Sequence, residues 1–295
     1  MDLTLLLQSI QAGLTNGFVY GLVGLGMSVI FRGSRVVNAM QGDFAVIAGM
    51  AAVLLVESWH WPLAAAMAAA VLLGAAFGWL IEITLVRAMR KRGGNEDSFL
   101  LLTLGVAFAV SALVLYTIGR DSRLLPGIGG EGTLAVFDAA IRVHALWLML
   151  LVLVLLAGLR LFYTRTQFGL SMTAAAIDAD GAATMGINVA RSRTATFALG
   201  GFIGGLAGVL VTPLTTVNYE MGLLITLKGF AAAILGGLGN AFGAIAGGLT
   251  LGLLESLAVV FISSGYKDVI ALGILILIMI FLPHGLAGRA GRKGG

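Results

Sequence analysis

Residues Gly169 to Arg193 read GLSMTAAAIDADGAATMGINVARSR, a stretch of alanine, aspartate and threonine flanked by arginines in an otherwise apolar chain. On both sides of it stand apolar runs of about 20 residues, each long enough as a helix, at 1.5 Å per residue, to cross about 30 Å of hydrocarbon. The stretch is therefore a place where the chain leaves a membrane. The fold follows from the runs around it.

Of the 295 residues, 59% are hydrophobic and 11% charged, which leaves too few polar side chains to cover a soluble core. The composition predicts an all-α polytopic membrane protein. Spans are read at 5–31, 37–57, 62–87, 98–119, 145–164, 194–217, 241–263 and 267–284, so about eight transmembrane helices form one domain over 1–295. A ninth segment, 222–237, is too short to cross comfortably and reads as a short or re-entrant helix.

Charge sets the orientation. With the N-terminus outside, the inner loops hold most of the 18 basic residues, among them Arg32, Arg35, Arg87, Arg90, Arg191 and Arg193. The C-terminus and the stretch 165–193 are then cytoplasmic, and 120–144 is an external loop in which Pro126, Gly127 and a short alternating run suggest a hairpin. The opening MDLTLLLQSIQAG has no basic region and no small-residue cleavage site, and reads as the start of the mature chain.

Several chemistries are excluded by the residues. There is no cysteine, hence no disulfide and no thiolate metal site. His60, His144 and His284 are far apart, with no H-E-x-x-H, so no metal or histidine-catalytic site is expected. No G-x-x-x-x-G-K-[ST] occurs, and none of the lysines stands in that context, so the chain has no P-loop of its own. The expectation is a non-enzymatic chain that binds no cofactor.

The 43 glycines are about twice the average usage and lie inside the spans, as Gly13, Gly17 and Gly21, Gly204 with Gly208, and Gly243 with Gly247. Such ladders let helix backbones touch. Four ionisable residues also fall in spans: Asp43, Glu82, Lys228 and Glu255. Glu82, one turn from Arg87, reads as its partner. Lys228 and Glu255 flank the turn Gly236 to Asn240 at distances that put them within about 4–5 Å of equal depth, so the hairpin predicts a structural pair. Asn38, Gln41 and Asp43 read as caps of a starting helix or as the inner mouth of a pathway. Asn16 and Tyr20, one turn apart, read equally as packing or as a polar stripe facing a pore.

In helical register Ala175, Ala179, Ala182 and Met185 with Ile187 share one side of the central stretch, and Gly181 and Gly186 are expected to break it into helix, turn and stop. Small side chains suit docking into a groove of another protein. The pattern resembles the cytoplasmic coupling loop of the permease subunits of branched-chain amino acid ABC transporters, which read approximately G-[RK]-x-[ML]-R-A-x-x-x-[DN]-x-x-x-A-x-x-x-G-[IV]. Asp178, Ala182, Gly186 and Ile187 match that spacing, while Thr173 stands where most members carry arginine and Leu170 where a basic residue is common. Gly21 to Met50, Thr226 to Glu255 and the ending FLPHGLAGR resemble other blocks of the same family, in order and nearly end to end.

The resemblance implies an ABC importer permease in a bacterial inner membrane. It further implies a second homologous permease, two ATPase subunits that use ATP-Mg, and a periplasmic binding protein that delivers a small polar solute. Branched-chain amino acids come first, with related amino acids or amides after them. Thr173, Asp178, Ala182, Gly186 and Ile187 would couple to the ATPases, and the polar residues within the spans would line the path. A self-sufficient secondary transporter or channel is the alternative, with Asp43, Lys228 and Glu255 at its site.

Overall fold

The computed structural model describes residues 3–130, 132–136 and 139–261, with a few isolated positions beyond them. In chain order these are α1 (Leu3–Ser34), α2 (Gln41–Glu57), α3 (Leu63–Ile81), a π-helical turn (Glu82–Val86), α4 (Arg87–Lys91), α5 (Glu96–Thr117), β1 (Thr133–Val136), β2 (Ala139–Arg142), α6 (Val143–Arg165), α7 (Gln167–Ile177), α8 (Ala179–Thr184), α9 (Val189–Val211), α10 (Met221–Gly236) and α11 (Ala241–Phe261). The hairpin expected in the external loop is present, with Thr133 opposite Arg142.

Six segments among the described residues are long and apolar enough to cross a membrane: α1, the run Leu63–Lys91, α5, α6, α9 and α11. One expected span is shorter, and the segment expected to be a short helix is one. Residues 37–57 supply only the helix Gln41–Glu57, and 222–237 supplies the helix Met221–Gly236. The span at 267–284 lies largely outside the described residues. α9 also begins before its expected start at 194, because the Asn188 side chain caps it by accepting the Arg191 N–H. It ends at Val211, two residues before Pro213, which cannot continue a helix. Arg191 and Arg193 thus belong to its first turns, not to the loop.

Close backbone approach holds the bundle together. α1 lies along α11, where a Cβ on Gly17 would fall 2.7 Å from the Leu249 Cα and one on Gly13 would fall 3.0 Å from the Gly252 carbonyl oxygen. Gly204 and Gly208 let α9 meet α2, Gly74 and Gly78 let α3 meet α9, and Gly243 and Gly247 let α11 meet α10. Each ladder therefore packs within the chain. Where lipid is as apolar as leucine, such contacts supply the association that burial supplies in water.

The helix ends sort into two sides. Ser34, Arg87, Arg90 and the turn Gly236 to Asn240 gather at an arginine-rich end, where Arg90 reaches the Ser34 carbonyl and Gly239 stands beside Arg32. At the opposite end Arg123 pairs with Glu57 at 2.8 Å and bridges Val217 through the backbone.

Candidate functional site

The central stretch forms two short helices at the arginine-rich end. α7 begins after Thr166, whose hydroxyl accepts the Gly169 N–H, and α8 begins after Asp178, whose carboxylate accepts the N–H groups of Asp180 and Gly181. The break falls at Asp178, three residues before the glycine expected to make it. A Cβ on Gly181 would collide with the Asp178 carboxylate, so this glycine keeps room for the cap. Gly186 ends α8 with φ +81, a left-handed turn that a side chain there would strain by about 1–2 kcal/mol.

Ala175 and Ala182 face this chain's own bundle and are buried, whereas Met185, placed with them by helical register, is 85% exposed because α8 stops before it. The Thr173 hydroxyl donates to the Gly169 carbonyl, and Ile187 is half-buried. Large apolar side chains outside the expected set stand free: Ile177 is 79% exposed, and Phe168 and Leu170 are about half exposed. Their signal in the sequence is modest: single large apolar residues among the small and polar ones of a short helix.

Polar groups inside the bundle form three clusters. The Lys228 ammonium lies 3.0 Å from the Glu255 carboxylate, as the hairpin spacing predicts, and the Tyr20 hydroxyl lies 3.2 Å from both. Asn16 is not part of this cluster. It lines a cavity of about 390 Å³ toward the opposite end, with Gln11, Thr15 and Arg142 among its neighbours.

Glu82, 1% exposed, accepts from Arg87 at 3.1 Å and from Thr194 at 2.7 Å. The π-helical turn places the guanidinium five residues along so that it can return to the carboxylate. Glu82→Gln keeps the shape and removes the charge. It is expected to lower unfolding free energy by about 1–2 kcal/mol, read by denaturation in mild detergent.

The third cluster surrounds the start of α2. Residues 35–40 leave the arginine-rich end without helical structure, with Arg35 at φ 59, and α2 then starts inside the bundle. Backbone groups there are satisfied by distant side chains: Ala39 N–H by Thr103, and Gly42 N–H by Thr226 at 2.8 Å. Asn38 donates to Gln41, which donates in turn to the Gly200 carbonyl. The expected side-chain cap of α2 is absent, since Met40 occupies that position; Asn38 instead accepts the Met40 N–H. Asp43 sits beside these residues, 1% exposed.

Comparison with known proteins agrees with this arrangement. A family described as "Branched-chain amino acid transport system / permease component" matches residues 9–279. The "High-affinity branched-chain amino acid transport system permease protein BraD" of Pseudomonas aeruginosa is 30% identical over 298 residues, covering 96% of each chain. The LivH protein of the same description from Salmonella typhimurium is 29% identical over 297 residues, again covering 96% of each. Among solved structures, "PsaBC from Streptococcus pneumoniae in complex with Fab" shares the fold, with a TM-score of 0.52, 17% identity and coverage of 98% of this chain and 95% of that one. With a matched region that runs from α1 past α11, and relatives that align nearly end to end, this chain belongs to the family of branched-chain amino acid transport permease components.

Proposed function

We propose that the chain is the membrane-spanning permease of an ATP-driven importer that moves branched-chain amino acids, or closely related amino acids and amides, into the cell. The reading treats 1–295 as one permease domain in a bacterial inner membrane, with the arginine-rich end cytoplasmic and the N-terminus periplasmic. Two ATPase subunits, a second permease and a periplasmic binding protein complete it, and ATP-Mg is used by the ATPases alone. The names of the relatives support the solute class.

The observation that carries the reading is the α7–α8 unit. It presents Ile177 and Met185 to solvent from a base anchored by buried Ala175 and Ala182. An apolar pair on a short, capped helical unit is what a groove in another protein grips, and its buried side transmits a push to α9 and α1. Thr173, Asp178, Gly186 and Ile187 shape this unit, so their role in coupling is to hold its geometry. Alternating access then needs only that the ATPases favour one bundle arrangement over the other when ATP binds.

Affinity capture of the tagged chain from its native membrane in mild detergent tests the reading. Two ATPase subunits and a second permease should copurify, and the eluate should hydrolyse ATP. A chain that elutes alone or as its own oligomer, without ATPase activity, would make it a self-sufficient transporter. Ile177→Glu and Met185→Glu should each weaken ATPase-subunit retention about tenfold, the equivalent of about 1.5 kcal/mol of apolar burial, without removing the chain from the membrane.

A further inference from the structure

Near the middle of the molecule a carboxylate is packed without a donor. Neither oxygen of Asp43 has a hydrogen-bond partner among the described residues. The residue lies in the first turn of α2, about 21 Å along that helix from Glu57 at one end of the bundle. Gly222, against which it packs, lies about 21 Å along α10 from Gly236 at the other end. Asp43 is therefore close to mid-depth.

Two helices begin beside it. The Gly42 N–H meets Thr226 of α10, and a Cβ on Gly222 would fall 2.5 Å from the Asp43 Oδ1, so a glycine there keeps space for the carboxylate. Helix N-termini favour negative charge near them. Their field does not replace a hydrogen-bonding partner.

Asp43 lines a cavity of about 210 Å³ between α2, α5 and the start of α10. Ala107, Phe108 and Leu223 give it apolar walls, and Ser111 stands on the α5 side. The cavity lining also includes a second acid, Glu220, which accepts from the Tyr219 hydroxyl at 2.7 Å. Among the described residues no lysine, arginine or histidine lines it. A cavity lined by two acids and, among the described residues, no base attracts a cation. Two carboxylates and a phenol fall short of the six or more oxygens a hard divalent ion takes, and no group of three metal-ligating side chains gathers among the described residues. The apolar walls and small volume suit a small organic ammonium.

We propose that this cavity receives the ammonium group of the solute during translocation, with the Asp43 carboxylate as its acceptor. The assignment rests on the importer reading above for the identity of the solute. Exposed Phe108 and Leu223 place the cavity mouth on the bundle surface. Glu220 is exposed on that side and Asp43 is buried, and two acids lining one cavity mark a wetted path, not a lipid-facing wall.

Because the chain has no cysteine, Ser111→Cys puts a single thiol on the cavity wall. The full chain, purified in lipid nanodiscs, is treated with 2-aminoethyl methanethiosulfonate, a cation, or with 2-sulfonatoethyl methanethiosulfonate, an anion. The cation should react about 10-fold faster once compared with the two reagents' rates on a free thiol. Asp43→Asn in the same background should bring the two within about twofold, and Asp43→Glu should keep the preference. Leucine should slow the cationic reagent, and 4-methylpentanoate, the same skeleton without the ammonium, should not.

Equal rates with Asp43 in place, a preference indifferent to Asp43→Asn, or no reaction with either reagent would overturn the assignment. Should Asp43→Asn fail to fold, the reagent preference and the leucine protection of the Asp43 protein still decide it. The assay needs neither ATP nor partners. A cation preference in a chain that captures no ATPase would keep the site and discard the importer.

Discussion

Lys228→Met is expected to cost the folded chain about 3–5 kcal/mol, the range for removing one member of a buried ion pair. The Glu255 carboxylate is completely buried, and the variant takes away the ammonium 3.0 Å from it and the cation held 5.1 Å from the Tyr20 ring centroid. The pair joins α10 to α11 across a turn, so its loss should loosen the hairpin itself. Unfolding by a denaturing detergent should start at lower concentration, and uptake should fall with the assembled fraction. Lys228→Met combined with Glu255→Leu should recover most of the loss, because no buried charge is then left behind. A single variant with unchanged assembly and uptake would sink the structural-pair reading.

Gly248→Val should be among the most damaging of the glycine substitutions. A Cβ at this position would run into the backbone of Gly21 and Gly17, with no flexible side chain to move aside. Separating α1 from α11 is expected to cost at least about 3 kcal/mol, the upper part of the range for overpacking. The comparison that gives this meaning is Gly158→Ala in α6, where nothing lies within 4 Å. That change should be neutral or stabilise the helix by about 0.5–1 kcal/mol, since alanine orders more cheaply than glycine. Equal effects at the two sites would mean that the glycines serve composition and not contact. The readout is the folded fraction after heating in mild detergent.

The long spans were legible because each is a single apolar run that needs only length. Lys228 and Glu255 were legible for a related reason: a turn at Gly236 to Asn240 fixes how far each lies along its own helix, so depth follows from counting. Tyr20 was not assigned to that pair, because its partners lie 208 and 235 residues away. Local spacing says nothing of such contacts. The start of α2 was misplaced by four residues for the same reason. Asn38 and Gln41 look like a cap when read locally, but the backbone there is held by Thr103 and Thr226 from two other helices, and the Gln41 side chain donates to the Gly200 carbonyl of a third. The break at Asp178 went unread because a glycine is the usual stop signal, whereas here the glycine makes room for an aspartate cap. The central stretch is legible by its resemblance to a family pattern, yet the side chains it exposes depend on where α8 ends, which the pattern does not encode.

The seam between α1 and α11 has a consequence for synthesis. Ser9 and Ser256 exchange hydrogen bonds across 247 residues, and the glycine face of α1 is covered by a helix made near the other end of the chain. At typical translation speeds of about 5–20 residues per second, the first helix waits on the order of 12–50 s in the bilayer before its partner leaves the ribosome. During that interval its close-packing face has only lipid, the insertion machinery or a stray helix against it. A ribosome stalled between α10 and α11 should therefore hold a chain whose first helix is still open to crosslinking by its surroundings, and release of α11 should close it.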